Sequence, residues 1–317
     1  MFNKFREAVF LNKDEVRERK QKELDKFIIL KSKLKDKDKI IDQIDNLEKG
    51  KKGEEEIIYQ LQSTNIGMYI LQDVRFENPN NKDTHAEIDF MIFTGGCNYI
   101  VECKNLTGNL IIDENGEFIK DKETIKSPIT QSDRQKDIVK KIWLNNINKV
   151  LSYFFDKYFD KEIFKTIVVL ANENTHINKE KAPSDIKDKI IRADQLASYI
   201  KKDMEKYKGE LATEKQIKKC ALKWQERSSE PSGFEKGYKK FLNQYIKEQL
   251  KEYRDKKAAE LKYTKDYIFD DKELKELVDK TPTTIQELAV NDILKKEVKL
   301  KLYGQDIVNI IKNCKEI

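Results

Sequence analysis

Two strand-length runs constrain this chain more than any other feature: Glu87-Ile88-Asp89-Phe90-Met91-Ile92-Phe93 and Tyr99-Ile100-Val101-Glu102-Cys103-Lys104. Both are rich in β-branched and aromatic residues, and Thr94-Gly95-Gly96-Cys97-Asn98 between them reads as a hairpin turn. Such runs predict adjacent buried strands, yet they carry Asp89, Glu102 and Lys104. Side chains alternate along a strand, so Glu102 and Lys104 share a face. Charges at such positions are costly to bury unless they pair or hold a metal. One reading is therefore a same-face ion pair. The other is catalytic: carboxylates to hold Mg²⁺, and an ammonium to orient water or neutralise developing charge, as phosphodiester hydrolysis needs.

A third acid fits the second reading. In Gly50-Lys51-Lys52-Gly53-Glu54-Glu55-Glu56-Ile57-Ile58-Tyr59-Gln60-Leu61, residues Glu54, Ile57, Ile58 and Leu61 recur at helical spacing. Glu54 is thus expected on the core-facing stripe, with Glu55 and Glu56 outward. There it can reach a metal held by Asp89 and Glu102, or serve only to satisfy amides at a helix start.

Composition sets the bounds. The 317 residues suffice for two domains and a helical extension, and 38% hydrophobic against 38% charged predicts small cores under a large solvated surface. The net charge of +6 is compatible with a polyanion partner without being diagnostic of one. The positive charge is mostly lysine, which suits non-specific phosphate contact better than bidentate base reading. Four cysteines without ligand spacing and only two histidines argue against zinc. His85 reads as a surface loop residue. The N-terminus shows no signal-peptide core and no run has membrane-spanning length, so a cytoplasmic, membrane-free protein is expected.

Along the chain, residues 1–49 predict an N-terminal helical extension, as one long or two shorter helices. Residues 50–202 alternate helix and strand, with strands at 69–75, in the hairpin, and near 110–112, 117–119 and 165–170. Helices are expected over about 131–159 and 193–202. That pattern is an α/β sandwich with a mixed sheet. Residues 203–240 read as a linker or helical connector containing Arg227-Ser228-Ser229-Glu230-Pro231-Ser232-Gly233, and 241–317 as an all-α bundle.

The order Gly50-x-x-Gly53-Glu54, Glu87-Ile88-Asp89, Val101-Glu102-Cys103-Lys104-Asn105-Leu106-Thr107-Gly108-Asn109 resembles the nuclease-related domain, NERD, of bacterial proteins. The likeness continues through Asp113-Glu114-Asn115-Gly116-Glu117-Phe118-Ile119 and Ser127-Pro128-Ile129-Thr130-Gln131, covering roughly 45–200. It implies the restriction-endonuclease-like fold of the PD-(D/E)xK superfamily and a Mg²⁺- or Mn²⁺-dependent DNA nuclease. It further implies Glu54, Asp89 and Glu102 as metal-holding acids, Lys104 as catalytic lysine and Gln131 as an additional site residue. Related proteins often carry a cysteine zinc ribbon after the domain, but the region here offers only Cys220, so that module is not expected.

A second resemblance lies at the C-terminal end. Leu250-x-x-x-Arg254-x-x-x-Ala258, Tyr267-Ile268-Phe269-Asp270-Asp271-x-x-Leu274-x-x-Leu277, Thr281-Pro282 with Leu288, and Tyr303-Gly304-x-x-Ile307-x-x-Ile310 resemble the HRDC domain of RecQ-type helicases and ribonuclease D. This implies a compact bundle of roughly five helices, often an auxiliary nucleic-acid-binding module. The family often has a glycine-containing turn where this chain reads Asn291-Asp292-Ile293. Nine Lys or Arg against four acids over 239–265, and the lysines of 295–301, make Arg254, Lys256, Lys257, Lys295 and Lys296 candidate nucleic-acid contacts. Solvated helix faces are the competing reading. The alternative to a nuclease is a non-catalytic DNA-binding or scaffold protein recruiting a helicase or defence complex.

Overall fold

The apolar alternation of the hairpin organises the chain's larger half. A computed structural model describes residues 5–81, 83–145, 164–207, 211–231 and 233–317. It divides by contacts into a first unit, residues up to Lys20 with Leu47–Pro231, and a second, Gln21–Asn46 with Ser232–Ile317.

The first unit holds a six-stranded mixed sheet. Its strands are β1 (Ala8–Phe10), β2 (Met68–Glu77), β3 (His85–Thr94), β4 (Asn98–Lys104), β8 (Phe164–Leu170) and β10 (Ile190–Arg192), in the spatial order β1-β2-β3-β4-β8-β10. The β2–β3 and β3–β4 pairs are antiparallel and the other three parallel. A smaller sheet, ordered β7-β6-β5-β9, is built from β5 (Gly108–Ile112), β6 (Phe118–Lys120), β7 (Glu123–Ile125) and β9 (Thr175–Asn178).

Strand alternation splits the core into two layers. Leu71, Met91, Phe93 and Ile100 pack with Ile138 and Val139 of α3 (Pro128–Asn145), and with Ile217 and Trp224 of α6 (Glu214–Gln225). On the other face Ile70, Phe90, Ile92 and Val101 meet Ile57 and Leu61 of α2 (Asp38–Gln62) and Leu196 and Ile200 of α5 (Leu196–Met204). Between β9 and α5 lies the short α4 (Ser184–Lys187). The chain is therefore α/β with mixed sheets flanked by helices, as expected. No described helix is long and apolar enough to cross a membrane.

Several local expectations are corrected. Residues before 50 supply a strand, β1, besides the helices; three residues are too short to show a period, and only pairing with β2 reveals them. Residues 38–62 form a single helix, so Glu54 sits mid-helix rather than at a helix start. His85 opens β3 opposite Glu77, with Glu87 3.4 Å away, and is not a loop residue. Of the helix expected over 131–159, the described part ends at Asn145, and the remainder lies outside the described residues.

The second unit is helical. From Gly233 come α7 (Gly233–Leu261), α8 (Lys265–Ile268), α9 (Asp271–Lys280), α10 (Ile285–Val290) and α11 (Glu297–Lys315). The apolar motif residues Leu250, Ala258, Ile268, Phe269, Leu274, Leu277, Leu288, Tyr303 and Ile307 share one core. Residues 21–46 join this unit because Phe27, of α1 (Lys13–Lys33), sits edge-on against Phe234, Tyr238 and Phe241 at 5.5–5.9 Å. After α10, Asp292 takes φ +48°, so an aspartate carries the left-handed turn where the family often has glycine.

Candidate active site

Glu54 owes its position to a glycine. A Cβ on Gly53 would stand 2.8 Å from Asn105 Cβ and 3.2 Å from Cys103 Sγ, whereas one on Gly50 would meet nothing within 4 Å. Gly53 therefore lets α2 lie against the end of β4, and the next residue is delivered to the sheet. Glu54 is only 9% exposed, whereas Glu55 faces solvent and Glu56 is half-buried. Both Glu54 oxygens receive Lys20 Nζ at 2.6 Å, and Gln72 Nε2 donates to Oε2 at 2.9 Å. Burial raises the Glu54 pKa, and Lys20 pulls it back. Burial opposes the charge of Lys20 too, but Glu54 and Asp73 outweigh it and hold that pKa above its ordinary value.

Asp89 sits where the sheet ladder is interrupted on both sides. The β2–β3 register runs from Met68↔Thr94 to Gln72↔Phe90 and resumes at Val74↔Ile88, leaving out Asp73 opposite Asp89. Asp73 has φ +48° and its carboxylate pairs with Arg19. Two acids facing each other across strands repel, and this departure relieves the pair. On the other edge the β3–β4 register ends at Phe90↔Val101, and Asp89 Oδ2 accepts the Cys103 N–H at 2.7 Å. Burial, then Glu102 and Glu54, push the Asp89 carboxyl well above its ordinary value. Burial, then Asp89, Glu54 and Glu102, push the Cys103 thiol up as well.

Glu102 is 2% exposed. Alternation from Ile100 places it on the α3 face, where its oxygens take Lys104 Nζ at 2.6 Å and Gln135 Nε2 at 3.0 Å. Lys104 Nζ also donates to Gln131 Oε1 at 3.3 Å. Lys104 thus bridges the strand acid and the helix glutamine, with Gln131 exposed. Gln135, one turn after Gln131, additionally donates to the Glu87 carbonyl at 2.6 Å. All four charged residues singled out in the sequence lie in this region, but Glu54 arrives from the α2 face and Glu102 from the α3 face. Among the described residues no three His, Cys, Asp or Glu side chains are grouped closely enough to hold a metal by themselves.

The donor set is still suited to a hard divalent cation. The amide oxygens Gln72 Oε1 and Gln135 Oε1 are buried without hydrogen-bond partners, beside Glu54 and Glu102 respectively. Asp89 contributes a carboxylate whose charged form is disfavoured by burial and then by Glu102 and Glu54. Mg²⁺ commonly takes only one or two carboxylates and completes its shell with water or phosphate, so the Asp89–Glu102 pair would fit such a shell.

Sequence reading missed Lys20, Gln72, Asp73 and Gln135. Gln135 had a signal, being four residues after Gln131 and so on the same helix face. Lys20 had none, standing in a helix crowded with lysines. Among the C-terminal candidates, Lys256, Lys295 and Lys296 are exposed and Lys257 is half-buried, 3.7 Å from Glu260. Arg254 is corrected: at 6% exposure it donates to the Phe269 carbonyl at 3.2 Å and Asp271 at 2.8 Å, with its guanidinium over the Phe269 ring. It holds the helical core together and is not presented to a phosphate. Lys299 is likewise held by buried Glu273 at 2.7 Å.

Comparison with known families matches residues 49–171 to the nuclease-related domain and 246–311 to the HRDC domain. Searches of curated proteins and of solved structures found no significant match. The chain carries a nuclease-related domain, followed by an HRDC domain.

Proposed function

We propose that the protein is a divalent-metal-dependent DNA nuclease, with its helical second unit as an auxiliary nucleic-acid-binding module. The observation that carries this reading is the grouping of Asp89, Glu102 and Lys104 at the interrupted sheet ladder, inside a segment matched to the nuclease-related domain. Mg²⁺ or Mn²⁺ would be held by Asp89 and Glu102, and when bound would supply Lewis-acid polarisation of a phosphodiester oxygen. Glu54, the third acid implied by the family likeness, borders the same field through Lys20 and Asp89. Lys104, tethered by Glu102 and Gln131, presents an ammonium where negative charge develops at phosphorus. Gln135 fixes the Glu102 carboxylate from behind. The exposed lysines Lys256, Lys295 and Lys296 would add phosphate contacts that position without reading sequence.

The test is incubation of the full chain with plasmid and single-stranded DNA in Mg²⁺ or Mn²⁺, beside Glu102→Gln. Metal-dependent cleavage lost in the variant is expected. Salt-sensitive DNA binding with no cleavage in either metal would replace this reading with a non-catalytic binding protein, a role compatible with the saturation of Glu54 by Lys20.

A further inference from the structure

A cleft between the start of α1 and α2 runs to Glu54 and sets apolar walls among charged residues. It has a volume of about 270 Å³. Its walls include buried Val16 and half-buried Ile58, with the ring of Tyr59 standing 65% exposed on the α2 side. Lys13, Arg17 and Lys51 also line it, and Lys20 and Glu54 lie at the end toward the candidate site. The α1 wall comes from residues before 49, outside the segment matched to the nuclease-related domain.

From this arrangement we propose that the cleft is a nucleobase subsite, accepting one unstacked base of a DNA single strand next to the phosphate at the acids. The inference rests on the nuclease reading for its substrate class and deepens it by naming strand type. Apolar walls and an exposed aromatic ring suit the face of a base, which stacks on tyrosine whatever its sequence. Lys13, Arg17, Lys20 and Lys51 outnumber the lining acids Glu54 and Glu55, and Lys20 is paired with Glu54, so the remaining basic groups suit the flanking phosphates of a nucleotide. Glu54 and Lys20 at the end of the cleft both act on Asp89, so a base held here would lie on the same strand as a phosphate at Asp89 and Glu102. A base inside a duplex remains stacked and cannot enter without being extruded. The cleft therefore favours single strands, frayed ends and gaps over intact duplex.

The experiment uses the full chain in EDTA, so that binding is measured without cleavage. Fluorescence anisotropy compares a labelled 12-nucleotide single strand with a blunt duplex for wild type, Tyr59→Ala and Tyr59→Phe. Tyr59→Ala should weaken single-strand binding about ten-fold, the scale of one lost base stack. Tyr59→Phe should bind as wild type, and duplex affinity should not move. Because the helical unit can also bind the strand, an oligonucleotide carrying 5-iodouracil is cross-linked in parallel and the adducts mapped, with Tyr59 expected among them. Unchanged single-strand affinity in Tyr59→Ala, equal losses for strand and duplex, or adducts confined to the helical unit would overturn the subsite. If wild type cleaves nothing in Mn²⁺ while Tyr59-dependent strand binding persists, the nuclease reading fails and the subsite stands.

Discussion

Gly50 and Gly53 are two glycines of one helix, three residues apart, and replacing each with alanine should move stability in opposite directions. Both lie within α2, where alanine is preferred to glycine by about 0.5–1 kcal/mol because the unfolded chain loses less freedom. At Gly50, exposed and with open space around its missing Cβ, that gain should appear undiminished. At Gly53 the new methyl meets Asn105 Cβ at 2.8 Å and Cys103 Sγ at 3.2 Å, and a Cβ cannot swing aside as a flexible side-chain end can. Overpacking of this kind costs about 1–3 kcal/mol, so the net for Gly53→Ala is a loss of up to about 2 kcal/mol. The strain is relieved by lifting α2 from β4, which carries Glu54 off Gln72 and away from Asp89. Both tryptophans, Trp143 and Trp224, belong to the first unit, so urea unfolding followed by tryptophan fluorescence reports on that unit alone. The midpoint should rise for Gly50→Ala and fall for Gly53→Ala, with cleavage reduced only in the second. Equal shifts of the same sign would refute the close-approach argument.

Three further predictions address other parts of the molecule. Arg254→Met should lower the stability of the helical unit by about 2 kcal/mol, mainly by leaving the Phe269 carbonyl without its charged donor; the pair with exposed Asp271 adds little. DNA affinity of the folded variant, measured by anisotropy, should be unchanged, and a loss confined to affinity would restore Arg254 as a phosphate contact. Asp89→Asn should raise the metal-free urea midpoint at pH values where the folded Asp89 is ionised, since it removes a charge opposed by burial and by Glu102 and keeps an acceptor for the Cys103 N–H. The folded Asp89 carboxyl titrates above its unfolded value, so as pH falls the native state takes up the extra proton before the unfolded chain does. Wild-type stability without metal should accordingly increase across that window toward the ordinary carboxylate range, and a flat profile matching Asp89→Asn would contradict the assignment. Lys104→Ala should abolish cleavage while DNA affinity stays near wild type, because one lysine is a small part of an extended phosphate footprint. Parallel loss of both in gel-shift and cleavage assays would make Lys104 the structural partner of Glu102.

The legible part of this fold was local. Hairpin strands, the inward Glu54 stripe and the Glu102–Lys104 contact all follow from periods of two and 3.6 residues, which sequence displays directly. What stayed hidden depends on distant pairing. β1 is three residues whose only evidence is its alignment on β2, and Lys20 is one lysine among many until α1 sets it over Glu54. Arg254 misled for a related reason: a lysine-rich helix advertises charge, but only packing shows that this one guanidinium turns inward to Phe269. The approach of Glu54 and Glu102 from opposite faces was equally invisible, because it depends on which helix covers which side of the sheet.

Isothermal titration of Mn²⁺ into the metal-free full chain reads the metal site at Asp89 and Glu102 without requiring cleavage. Saturable binding to wild type is expected, weakening as pH falls through the raised titration range of Asp89, and lost when Asp89→Asn and Glu102→Gln are combined. Wild type that takes up no Mn²⁺ in the presence or absence of a DNA strand, or binding that survives the double substitution, would contradict a metal site there.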